Sequence, residues 1–263
     1  MNSSELQLSE MLPQEAARVT SAMIPALEEC ALLLDIDGTL LEMAPTPSEV
    51  RVPPELPPAM QGLLTRTGGA MALVSGRAIN DIDHIFAPAR FPAVGGHGAE
   101  MRVTPGGMAL AGPIQPMDPS LKKRFAKIAL LDEGILLEDK GYSLALHFRL
   151  APQAERAIYE AVSVIRAQLP EAPIEVLPGK AVCEIKPAGF NKASGVRALM
   201  ANVPFRGRTP VFLGDDVTDE SVFAIMPDLH GFAFSVGRPA KGVAGHFADP
   251  AHVRSWLQQL LAI

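Results

Sequence analysis

Two cysteines in 263 residues, Cys30 and Cys183, are too few and too far apart for a disulfide framework or a Cys-x-x-Cys metal site. They read as core thiols. Long apolar runs are missing as well. None exceeds five residues, so no segment is a bilayer span, and the first thirty residues lack the apolar stretch of a signal peptide. A cytoplasmic protein is expected. Positive charge is not in excess either: 23 Lys and Arg face 29 Asp and Glu, and the net charge of −6 argues against a nucleic-acid backbone as the main partner. The composition that remains, 48% hydrophobic and 20% charged, is that of a globular chain. Its length suits one large α/β domain, or a core carrying a smaller one.

The order of elements supports the second arrangement. Residues 1–29 read as a polar tail and a loose helix. Apolar strands are expected at Ala31–Leu34 and in "AMALVSGR", with a helix from Ala78 and a third strand in "FPAVGGHGAEMRV". Six prolines between Pro45 and Pro58 predict a rigid loop, with no helix until after Pro58. Strand, helix, strand repetition implies a Rossmann-like parallel sheet. From about Gly107 to Ile185 the pattern changes to a strand, a helix near Leu121–Leu131, the strand "GYSLALHFRL", an amphipathic helix after Pro152 and the strand "IEVLPGKAVCEIKP". This reads as a smaller α+β module inserted at 107–185, dividing the core into 30–106 and 186–263. The parallel pattern resumes with a helix after Asn191, the strands "PVFLGDDVTDE" and "GFAFSVG", and a terminal helix.

Ligand sites in open parallel sheets lie at the carboxyl ends of strands, so the residues just past each apolar run should converge. They are Asp35 and Asp37 in "DIDGTL", Ser75 and Arg77 in "VSGR", and Asp215, Asp216 and Asp219 in "GDDVTDE", with Lys192 near a helix start. Crowded carboxylates are tolerable around a divalent cation such as Mg²⁺, which takes one or two carboxylates, waters and a phosphate. One aspartate then serves as a nucleophile forming an aspartyl-phosphate, and the neighbour two residues on as general acid and base. Ser75 offers a hydroxyl to the phosphoryl group and Lys192 a positive charge.

"DIDGTL", "VSGR", "NKASG" and "GDDVTDE", in this order, resemble the four motifs of the haloacid dehalogenase superfamily of Mg²⁺-dependent phosphatases. The resemblance implies Asp35 as nucleophile, Asp37 as acid/base, and Ser75, Gly76 and Lys192 as phosphate ligands. It implies a metal held by Asp215, Asp35 and the Asp37 backbone carbonyl, with Asp219 and Asp216 in support. The inserted module would be a cap that selects the substrate.

Alternation in "SLALHFR" sends Leu144, Leu146 and Phe148 one way and Ser143, Ala145, His147 and Arg149 the other. In "AVCEIK", Cys183 and Ile185 oppose Val182, Glu184 and Lys186. A solvated sheet face would show the same pattern, and so would a sugar-binding one. "GGHGAE", "HFRLAP" and "LPGKAVCEIKPAGFNK" resemble the trehalose-6-phosphate phosphatase family, over most of the chain from Ala31 to Trp256. That likeness implies sugar contacts from Lys180, Glu184 and Lys186, with Arg77, His97, Glu100, His147 and Arg149 as further candidates. Ile36 and Ala193 depart from the family, standing where many relatives carry an aromatic and a glycine. The expected protein is a monomeric phosphatase acting on a small sugar phosphate, with no nucleic acid or membrane as partner. Phosphatases of sucrose phosphate or a glycosyl phosphoglycerate share the core motifs. A receiver-like module phosphorylated on a strand-end aspartate remains a reading of another class, although an acid/base beside a long-lived phospho-aspartate gains it nothing.

Overall fold

The run Cys30–Leu34 (β1) is buried along its whole length, as a strand covered on both faces must be. The computed structural model describes residues 23–44, 49–111, 117–169, 171 and 173–262. In it β1 pairs in parallel with Met71–Val74 (β2) on one side and Thr209–Gly214 (β10) on the other. Beyond β2 lie Ala93–Gly95 (β3), Glu100–Arg102 (β4) and Leu110–Ala111 (β5). Beyond β10 lie Phe232–Val236 (β11) and Gly245–Phe247 (β12). The sheet runs β12-β11-β10-β1-β2-β3-β4-β5, parallel as far as β3 and antiparallel at the last two strands. Alternate residues of the strands feed two cores. Leu32, Leu34, Leu73 and Phe234 pack against helices Leu56–Arg66 (α1), Ile79–Ile85 (α2) and Pro250–Ala262 (α7). Ala31, Leu33, Val74 and Phe212 pack against Lys192–Met200 (α5) and Glu220–Ile225 (α6).

The cap has its own sheet and core. Leu136–Asp139 (β6), Leu144–His147 (β7), Ile174–Gly179 (β8) and Val182–Pro187 (β9) form an antiparallel sheet in the order β6-β7-β9-β8. Leu144, Leu146, Cys183 and Ile185 point into a core closed by Pro119–Ala126 (α3) and Glu155–Ala167 (α4). The opposite face, with His147 and Glu184, looks onto the carboxyl edge of β1 and β10.

Several elements differ from expectation for local reasons. Helix α1 begins at Leu56, before Pro57 and Pro58, because first-turn residues have no intrahelical partner for an N–H that proline lacks. The single strand expected in "FPAVGGHGAEMRV" is a hairpin, β3 and β4, turned through Gly96, His97 and Gly98, all with positive φ. The strand expected to open the inserted module after Gly107 is β5, the edge of the core sheet. The run "IEVLPGKAVCEIKP" is two strands joined at Lys180–Ala181, where Ala181 has φ of 59°. β6 and β12 are additional strands. The helix expected in residues 1–29 falls mostly outside the described residues, which show only a 3-10 turn at Leu27–Glu29. Both cysteines are buried and unpaired, and burial pushes each thiol up to about 11. Among the described residues no helix is long and apolar enough to cross a membrane.

Candidate active site

After β1 the chain turns at once. Ile36 O accepts the amides of Leu40 and Leu41 at 2.9 Å, and Gly38 takes φ of +80°. A Cβ on Gly38 would lie 2.2 Å from Asp215 Oδ2, so only glycine lets this turn meet the end of β10. The turn leaves Asp35 beneath the pocket and Asp37 at its wall. Thr39 Oγ1 donates to Asp35 Oδ2 at 3.1 Å. Arg77, just past β2, grips Asp37 with two bonds, Nε to Oδ2 at 2.6 Å and Nη2 to Oδ1 at 2.7 Å. Ser75 and Gly76 line the same pocket.

Lys192 comes from the first turn of α5, which Asn191 and Ser194 cap reciprocally. Its ammonium is buried between Asp35 Oδ1 and Asp219 Oδ1, each 2.7 Å away. Burial would lower its pKa, but the two carboxylates more than reverse this and raise it. Burial raises Asp35 well above the usual carboxylate range; Lys192 opposes, while Asp219 and Asp215 add to the rise. Asp219 is fully buried, and its Oδ2 also accepts the amides of Asp215 and Asp216 at 3.0 Å. Asp216 lines the pocket and caps Val217 N at 2.7 Å.

Asp35, Asp215 and Asp219 bring carboxylate oxygens within 4.8 Å of one another. When ionised, these three carboxylates outnumber the ammonium of Lys192 by two charges, and burial with mutual repulsion raises both Asp35 and Asp215. A hard divalent cation fits that donor set and charge. The cap's Lys180 meets part of it here, with Nζ 2.8 Å from Asp215 Oδ2, although its side chain is more than half exposed.

From the cap, His147, Arg149, Lys180 and Glu184 line the pocket, and from the core so does His97. Glu184 is only 5% exposed, so this is not a solvated sheet face. Two expected sugar contacts lie elsewhere. Glu100 accepts Ile79 N at 2.7 Å, capping α2. Lys186 is fully buried beside Phe190, 2.7 Å from Glu175, outside the pocket lining. Two other residues take a place in the pocket wall: Glu138, 2.8 Å from His147 Nε2, and Lys140, 2.9 Å from Glu184. The signal for both was Gly141, which at φ of +81° turns β6 into β7 and puts Glu138 opposite Ala145 on the pocket face.

The C-terminal domain of trehalose-6-phosphate phosphatase from C. albicans superposes on this chain with a TM-score of 0.78, covering 90% of it and 93% of that chain at 20% identity. A mainly parallel core with an antiparallel cap is the fold class shared with that structure and with a solved phosphatase of the haloacid dehalogenase type, and in this chain aspartates gather at the ends of β1 and β10. Within that class the chain belongs to the trehalose-phosphatase family, whose profile matches residues 33–246. It is 41% identical to a probable trehalose-phosphate phosphatase of Sinorhizobium fredii, over 83% of this chain and 82% of that one. It is 38% identical to the trehalose-6-phosphate phosphatase of Escherichia coli, over 88% of this chain and 86% of the relative. Members of this family are phosphoric monoester hydrolases.

Proposed function

We propose that the protein is a Mg²⁺-dependent phosphatase that hydrolyses trehalose 6-phosphate to trehalose and phosphate through an aspartyl-phosphate on Asp35. The carrying observation is the packing of Asp35, Lys192, Asp219 and Asp215 into one buried cluster beside Asp37 and Ser75. The family match and the E. coli relative's name support the substrate.

Asp35, with the Asp37 carbonyl, Asp215 and Asp219, and Asp216 in support, would hold the metal, whose positive charge makes an anionic phosphoryl group approachable by a carboxylate. Lys192, Ser75 and Gly76 orient the phosphoryl oxygens. An Asp35 carboxylate oxygen attacks phosphorus as the bond to the sugar oxygen breaks, and Asp37 gives that oxygen its proton. Asp37 then takes a proton from water as the water oxygen attacks phosphorus, breaking the bond to Asp35 and releasing phosphate. Arg77 holds both Asp37 oxygens in this structure, and one of them must be released for Asp37 to carry the proton. Glu138, Lys140, His147, Arg149, Lys180 and Glu184 form a cap face dense in donors and acceptors, as a hydroxyl-rich leaving group requires. We read the enzyme as a monomer acting on a small sugar phosphate. The unpaired thiols and the absence of a membrane-crossing helix among the described residues fit a cytoplasmic enzyme.

Phosphate release from trehalose 6-phosphate tests this reading. The wild type should turn over with Mg²⁺ and stop with EDTA, and Asp37→Asn should be about 10²-fold slower or worse. Full turnover in EDTA, or by Asp35→Asn, would contradict it.

A further inference from the structure

His97 sits in the turn between β3 and β4, on the core, yet its Nε2 lies 3.0 Å from Glu184 Oε2 on cap strand β9. The turn that carries it is wedged against both phosphate-binding elements. His97 N donates to Ser75 O at 3.1 Å and Gly96 N to Arg77 O at 2.8 Å, tying the turn to the serine loop. The imidazole fills the space over Gly76, where a Cβ would come within 2.4 Å of Nε2. On the other side Gly98 abuts Asn191, the cap residue of the lysine helix, so closely that a Cβ would stand 2.4 Å from its carbonyl oxygen. His97 itself holds φ of 55°, a conformation a residue with a Cβ adopts at a cost. Its Nδ1 is buried without a partner.

Glu184 does not need His97 to be satisfied. Lys140 Nζ at 2.9 Å and Ser143 Oγ at 2.6 Å, both from the cap, already bond the carboxylate. Among the described residues, His97 is the core's one hydrogen-bonding contact with Glu184. A side chain on a left-handed backbone, its turn braced on the serine loop and the lysine cap, and aimed at a carboxylate with two other donors, is placed to transmit position. We propose that His97 is a positioning residue that locks the cap to the phosphate-binding loop, so that Glu184 meets the sugar only when the cap is seated over Ser75 and Lys192. The inference rests on the trehalose 6-phosphate reading for its kinetic consequence but not for its structural one.

The test compares the full-length Mg²⁺ enzyme with His97→Gly, which removes the imidazole at a backbone glycine favours, and His97→Gln, whose amide nitrogen reaches the Nε2 position. His97→Gly should raise KM for trehalose 6-phosphate about tenfold or more with kcat changed less than about threefold, and His97→Gln should restore most of the loss. Small-angle scattering of the ligand-free protein should show a larger radius of gyration for His97→Gly than for wild type or His97→Gln. Should His97→Gly fail to fold, His97→Asn, tolerant of the same backbone but too short to reach Glu184, takes its place. Unchanged KM and unchanged scattering in the variant lacking the imidazole contact would overturn the proposal. If the wild type does not hydrolyse trehalose 6-phosphate the substrate reading fails alone, and the scattering comparison still decides the role of His97.

Discussion

Glu184 shows at the residue scale how this protein holds charge out of water. Burial would raise its pKa, but the Lys140 ammonium, His97 and the Ser143 hydroxyl more than reverse this and hold the carboxyl well below the usual range. A carboxyl whose folded pKa is depressed contributes stability that is present above its unfolded value, about 4.5, and is lost as pH falls through the folded value. The wild type should therefore lose melting temperature more steeply than Glu184→Gln as pH drops below about 4.5, while at pH 7 the variant is the less stable because Lys140 loses its partner. Thermal melts from pH 7 to pH 3 check this. Parallel curves would mean that Glu184 is not held charged. Asp35 shows the opposite balance, raised by burial and by two neighbouring carboxylates, with Lys192 opposing.

At the scale of elements, the turn after β1 and the ends of β2, β10 and α5 meet at the candidate site, and they join because β1 lies between β2 and β10. Gly38 is the tightest joint in that arrangement. Gly38→Ala imposes a left-handed alanine and drives a methyl into Asp215, and should cost about 2 kcal/mol or more in urea unfolding and slow turnover at least about tenfold. An unchanged urea midpoint would show that the turn relaxes freely. The strand-end residues of the core were legible in the sequence because each closes a short apolar run: Asp35 follows Leu34, Ser75 follows Val74, and Asp215 follows Leu213 and Gly214. The cap was less so. The β8–β9 turn has no Asn-Gly or Asp-Gly between its strands, its Pro178-Gly179 lies inside β8 and the turn itself is Lys180 and a left-handed Ala181, and β6 shows no apolar/polar alternation in "LLED" to mark it as a strand. Alternation placed Glu184 and Lys186 on one face, and they share it. The chain bends away after β9, however, and Lys186 ends beside Phe190 and Glu175. Glu100 has the residue type of a sugar ligand, but its position opposite the start of α2 makes it a helix cap.

At the scale of the whole molecule, core domain and cap, with separate apolar interiors, meet across a polar seam, and the bonds described over that seam come from residues that line the pocket. Lys180 reaches Asp215, His97 reaches Glu184, and Arg149 donates to the carbonyl of Ala44. A cap joined to the core through the groups that would bind substrate ties substrate choice to closure. In the proposed reaction the core groups carry phosphoryl transfer and the cap face supplies the preference for one sugar. The measurement that tests this most directly is kcat/KM for a panel of sugar phosphates, including sucrose phosphate and a glycosyl phosphoglycerate, with saturating Mg²⁺. The account predicts that trehalose 6-phosphate is preferred by at least about tenfold, some 1.4 kcal/mol of transition-state discrimination, and that Glu184→Gln erodes the preference. Equal kcat/KM values across the panel would contradict it.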